Sequence, residues 1–142
     1  MRRILFAGLC LVSLQVPAAS TSWTSNSKDF GESRSDFTLR EIERRPRSSI
    51  LQLEIKNIGS SVGSSMIIAC MMARLAEERG GYRYLVKVDS LPANPSQMLV
   101  GFSNKPNEKP QSIDPELPTS AMEVDLEVFG TEFNKKCRAK GR

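Results

Sequence analysis

The 142-residue chain contains no histidine. Within this chain, that absence excludes a Ser-His-Asp triad, a Cys-His dyad and any His-ligated metal site. Long apolar runs are missing too. No stretch approaches the ~20 apolar residues of a membrane-spanning helix, so no permanent span is expected after processing. The three cysteines include no C-x-x-C pair, the usual arrangement for thiol–disulfide catalysis. No phosphate-binding G-x-x-x-x-G-K-[ST] sequence occurs, and no internal repeat is visible. What is present is an ordinary globular composition, 39% hydrophobic and 25% charged, in a length suited to one domain.

The first residues follow a recognisable grammar. Arg2 and Arg3 give a positive start, Ile4 to Leu14 ("ILFAGLCLVSL") is a short apolar run, and "QVPAAS" offers small residues for cleavage. Val16 and Ala18 fill the small-residue positions of a cut after Ala18. This pattern predicts a signal peptide over residues 1–18 and a periplasmic or secreted mature chain. Cys10 is a poor lipidation site, because Leu9 is too large to precede the cut and the apolar run would end too early.

Charge is unevenly spread. Without residues 1–18, 18 Lys and Arg face 16 Asp and Glu, which argues against nucleic-acid binding by bulk charge. Five of those cations, Lys135, Lys136, Arg138, Lys140 and Arg142, crowd into a basic tail at 131–142. They are candidate contacts for anionic lipid or polymer. No aromatic residue lies among them to stack on bases, so sequence-specific nucleic acid is not expected.

Between these ends the pattern predicts a single α+β domain over 37–130. Residues 19–36 are Ser- and Thr-rich without a period and read as a flexible lead-in. Phe37 to Arg44 and Leu51 to Lys56 suggest a hairpin around "RPRS", where Pro46 cannot continue a ladder. Serines in "GSSVGSS" (59–65) are good helix caps. A helix is predicted from about Ser64 to Arg79, its first half apolar all round and so expected to be the more deeply buried half. Gly80 and Gly81 end it. In the following strand Tyr82, Tyr84, Val86 and Val88 are assigned to the core, with Leu85 as an exception. "QMLVGF" (97–102) is a short strand candidate. Residues 103–120, within the segment that holds six of the eight prolines, read as a long irregular loop. Met122 to Val128 alternates apolar and acidic residues as a last strand. Arg83 and Lys87 on one strand, with Glu123, Asp125 and Glu127 on another, predict that those two strands are neighbours. The expected architecture has two layers, one main helix on one face of a four- or five-stranded, largely antiparallel sheet.

The segment "SSMIIACMMARLAEERGGYRYLVKV" (64–88) resembles small exported bacterial proteins of unknown function, in which a helix with an Ala-Glu-rich end and a Gly-Tyr pair leads into an aromatic-rich strand. The resemblance implies a bacterial envelope setting and no catalytic residues. Many such proteins carry a lipid-attachment cysteine, which this chain lacks.

Candidate chemistry is sparse. Cys70 and Cys137, the two cysteines left after processing, can form one disulfide in an oxidising compartment, or stand apart as a buried hydrophobe and an exposed thiol. Glu77, Glu78, Glu123, Asp125 and Glu127 read as solubilising rather than as an acid/base pair. No catalytic, cofactor-binding or metal-binding residue is assigned. The function these features suggest is a non-catalytic exported binding or structural accessory, its partner an envelope component or a protein. The alternative is a peripheral envelope binder that uses the basic tail 134–142.

Overall fold

Strand alternation in the first half of the chain builds a hairpin. The computed structural model describes residues 22–88, 90–129 and 137. Strands β1 (Thr24–Asn26), β2 (Asp36–Arg44) and β3 (Ser48–Asn57) are followed by helix α1 (Ser61–Glu78). Then come β4 (Tyr84–Val88), β5 (Gln97–Ser103), the one-turn helix α2 (Pro110–Ile113) and β6 (Met122–Asp125). The strands form one open sheet in the order β1-β2-β3-β5-β4-β6, every neighbour antiparallel. The class is α+β as expected, with six strands rather than four or five.

Helix α1 starts where Ser60 caps it, accepting from the Gly63 N–H at 3.3 Å. It ends at the glycines, and Gly81 sits at φ 78°, a left-handed conformation that suits a residue without Cβ. One face of the sheet packs on α1 through Phe37, Leu39, Leu51, Leu85, Val100 and Phe102. Met71, Met72 and Leu75 fill that core from the helix. Each large side chain so buried is worth roughly 1.5–3 kcal/mol.

Several sequence expectations change here. The burial gradient of α1 runs the other way: Cys70 to Ala76 holds its deepest residues, while Val62 to Ala69 lies mostly half-covered or exposed. In β4, Leu85 belongs to the helix-side core and Val86 to a second cluster on the opposite face. The strand is buried on both sides, so alternation could not assign its faces. The proline-rich segment is no free loop. Its Ile113 and Leu117 pack on Ile50, Val86 and Leu99, forming a cover over the second face.

The lead-in also joins the fold. Asn26 caps a 3-10 turn at Ser27–Phe30, and Phe30 and Trp23 pack on the helix-side core. The last strand stops at Asp125, and residues 126–129 are helical. The β4–β6 pairing is as expected, with Tyr84 opposite Asp125 and Val86 opposite Glu123. Residues 1–18 and all of the basic tail except Cys137 lie outside the described residues.

Candidate functional site

Among the described residues, an apolar groove of about 160 Å³ lies between the amino-terminal half of α1 and the far end of the β2–β3 hairpin. Phe37, Leu53, Ile55 and Ile58 line one side, and Ser61, Ser64, Ser65 and Ile68 the other. It exists because β3 outruns β5. The two strands pair only from Ser48 to Gln52, so the sheet narrows beneath the start of α1. Ile55 remains 53% exposed, Ile58 47%, and Val62, on the first turn of α1, 71%. The stretch from Ile58 to Ala73 carries no charged residue, the one signal in the sequence that foreshadows this surface.

The polar clusters are of a different kind. Glu41, on β2, is buried and fully engaged. Arg44 donates to its Oε2 at 2.6 and 2.9 Å, and Ser49 to its Oε1 at 2.6 Å. The Arg79 guanidinium approaches Oε1 at 3.3 Å. Arg79 also donates to the carbonyls of Arg45 and Pro46 and lies over the Phe102 ring, 5.0 Å from its centroid. It thereby ties the end of α1 to the hairpin turn. Burial pushes the Glu41 carboxyl up, but the bonds from Arg44 and Ser49 and the charges of Arg44 and Arg79 outweigh it and hold it below its ordinary value.

Two more carboxylates fasten the cover. Arg45 meets Asp114 at 3.0 Å and Glu116 at 3.1 Å, and the Ser48 hydroxyl also donates to Asp114. Burial opposes ionisation of Asp114, but Ser48, the Glu116 N–H and Arg45 prevail and lower its pKa. Arg47 grips Glu108 at 2.6 and 3.0 Å, and Ser103 adds a third bond. The Arg47 bonds and then the Ser103 bond, against burial, bring Glu108 down to about 2. By its local pattern "RPRS" is only a turn. Its arginines reach carboxylates more than 60 residues away, which no local pattern announces.

The residues singled out from sequence fall as follows. Cys70 and Cys137 are joined in a disulfide, Cα–Cα 5.2 Å. Arg83 bridges Asp125 at 3.0 Å and Glu127 at 2.9 Å, and Glu123 accepts from the Asn107 N–H at 2.8 Å. Glu78 pairs with Arg44 at 3.1 Å. The "GSSVGSS" serines serve as cap and groove wall. Lys135, Lys136, Arg138, Lys140 and Arg142 lie outside the described residues. Among the described residues, no group of three or more Cys, Asp or Glu is placed to hold a metal ion, and no helix is long and apolar enough to cross a membrane. No family model matches the chain, and neither a curated protein nor a solved structure shows significant similarity to it.

Proposed function

We propose that the protein is a non-catalytic, exported binding or structural accessory that acts outside the cytoplasm. The observation that carries this reading is the open apolar groove flanked by Ile55 and Ile58. Exposed aliphatic side chains beside a concavity are a common mark of an interaction surface. The paired acids point the same way. Glu41, Asp114 and Glu108 are each held ionised by serine and arginine partners, whereas a general acid at neutral pH needs a raised pKa. The Cys70–Cys137 bond suits an oxidising compartment, in keeping with the signal-like residues 1–18 and with the resemblance to exported bacterial proteins.

Two measurements test the reading. Intact mass, with and without thiol alkylation, should give a chain beginning at Ala19 with no alkylated thiol. A full-length chain with three alkylated cysteines overturns export. A photoreactive residue at position 58 should give a discrete adduct in exporting cells, and the same residue at position 109, on the cover, should not. Equal labelling or none overturns the assignment of the groove.

The basic tail supports the alternative of an envelope surface binder. Deleting 134–142 would also remove Cys137, so the informative variant replaces Lys135, Lys136, Arg138, Lys140 and Arg142 with Gln. Loss of envelope retention in that variant favours the tail over the groove.

A further inference from the structure

The edge of β3 beside the groove has backbone groups to offer. Leu53 donates its N–H to the Ser96 carbonyl at 2.9 Å, on the side where β5 lies. Ile55 has the same parity, and the Thr38–Glu54 pairing between them faces β2. The N–H and C=O of Ile55 therefore point toward the side that β5 has already left, since its ladder ends at Gln52–Gln97.

The size of this surface selects its occupant. Ile55, Ile58 and Val62, though 53%, 47% and 71% exposed, are only three side chains, a patch of the scale a monomer tolerates, whereas a stable interface needs about 800 Å² from each partner. The ladder also slips at Lys56, where Phe37 pairs with Ile55 but Asp36 pairs with Asn57. A bulge bearing a lysine is a device that stops a second copy from running along an edge. A short segment that needs only one or two main-chain bonds is not stopped. The groove, at about 160 Å³, is close to the ~150 Å³ of a cavity that holds one benzene-sized group.

Charge defines the rest of the ligand. Lys56 is exposed beside Asp36, whose carboxylate is already taken by Lys28 at 2.9 Å. The first turn of α1 carries no acidic side chain of its own, but the Glu32 carboxylate already lies about 4 Å from the Cβ position of Gly63, so the charge open to a ligand is the Lys56 ammonium.

We propose that this groove receives a short, extended, acidic peptide segment, which bonds to the Ile55 main chain and seats one large apolar side chain among Leu53, Ile58, Ser65 and Ile68. This rests on the reading of the protein as a binding accessory and names the partner's chemistry. The mode is strand addition, in which main-chain bonds give affinity and a side-chain pocket gives selectivity.

The test is a titration of the isotope-labelled, disulfide-intact protein with the acetylated, amidated peptide Asp-Leu-Asp-Leu-Asp, followed by amide chemical shifts. Shifts should concentrate at 53–58 and 61–68. N-methylation of the central residue should abolish them, and Lys56→Glu should weaken binding about threefold. Ser65→Phe should plug the groove while leaving the rest of the spectrum in place. Should that variant misfold, Ile58→Asp, at an exposed position, takes its place. No shifts, shifts elsewhere, equal binding of the methylated peptide, or shifts that depend on protein concentration alone each overturn the proposal, the last in favour of a second copy. A discrete adduct at position 58 together with a failed titration would leave the binding reading standing and remove only the extended acidic segment.

Discussion

The two faces of the sheet are held by different forces. The helix side buries a large continuous cluster from Phe30 to Phe102 and is closed by a covalent bond between Cys70 and Cys137. The cover side buries less: among the described residues its buried cluster is Ile50, Val86, Leu99, Ile113 and Leu117. So small a cluster provides less hydrophobic hold than the helix side. The cover compensates with Arg45–Asp114 and Arg47–Glu108, pairs that position a segment proline prevents from joining the ladder. The helix side also holds one buried carboxylate, Glu41, but rests chiefly on apolar area, whereas the cover leans on two carboxylates for a small core and should respond more to pH and salt.

Experiments that widen this contrast begin with the disulfide. Replacing Cys70 and Cys137 together with Ser opens a loop closed across 67 residues and should cost about 4 kcal/mol by chain entropy, read from urea unfolding midpoints. Next comes Leu75→Ala. Its side chain is fully buried under the helix, and the change should cost about 3 kcal/mol in the same assay. On the cover side, Gly101→Ala brings a Cβ within 2.7 Å of Leu117 Cδ1 and 2.8 Å of Ile113 Cγ2. It should cost about 1–2 kcal/mol and raise hydrogen exchange at 110–117 without loosening α1. If α1 loosens equally, the two faces are not separable.

The smallest effect is the most diagnostic. Glu108 titrates at about 2 in the folded chain, held down by Arg47 and Ser103, against about 4.3 for an unperturbed Glu. A lowered folded pKa contributes stability above the unfolded value and loses it as pH falls toward the folded one. Amide protection across 108–117 should therefore drop by about tenfold between pH 4.5 and 2, ahead of protection in α1. Glu108→Gln should flatten that dependence. A cover and helix that lose protection in parallel would refute the distinction.

The same contrast explains what the sequence could reveal. Where one face of a strand is wet, alternation was readable: Leu51, Leu53 and Ile55 against Gln52, Glu54 and Lys56. The Arg83 pairing with Asp125 and Glu127 was readable for a related reason, since opposite charges at strand spacing select a neighbour. Where β4 and β5 are covered on both sides, alternation loses its meaning, and Leu85 and Val86 serve opposite clusters. The helix misled differently. Its apolar first half states what α1 could bury, but the width of the sheet beneath it depends on where β5 ends. The groove was therefore legible only as an uncharged stretch. The lead-in folds through the polar cap at Asn26 and the hydroxyl bonds of Ser27 and Ser35, which leave no hydrophobic period to detect.

The Cys70–Cys137 bond has one more consequence. It makes a ring of the chain from the middle of α1 onward, and β4, β5, the cover and β6 all belong to that ring. Glu116 stands exposed in the cover and is followed by Leu117, a bond that a glutamate-specific protease can cut. Such a cut opens a circle instead of severing a thread. Both fragments travel as one band on a non-reducing gel and separate only when a reductant is added.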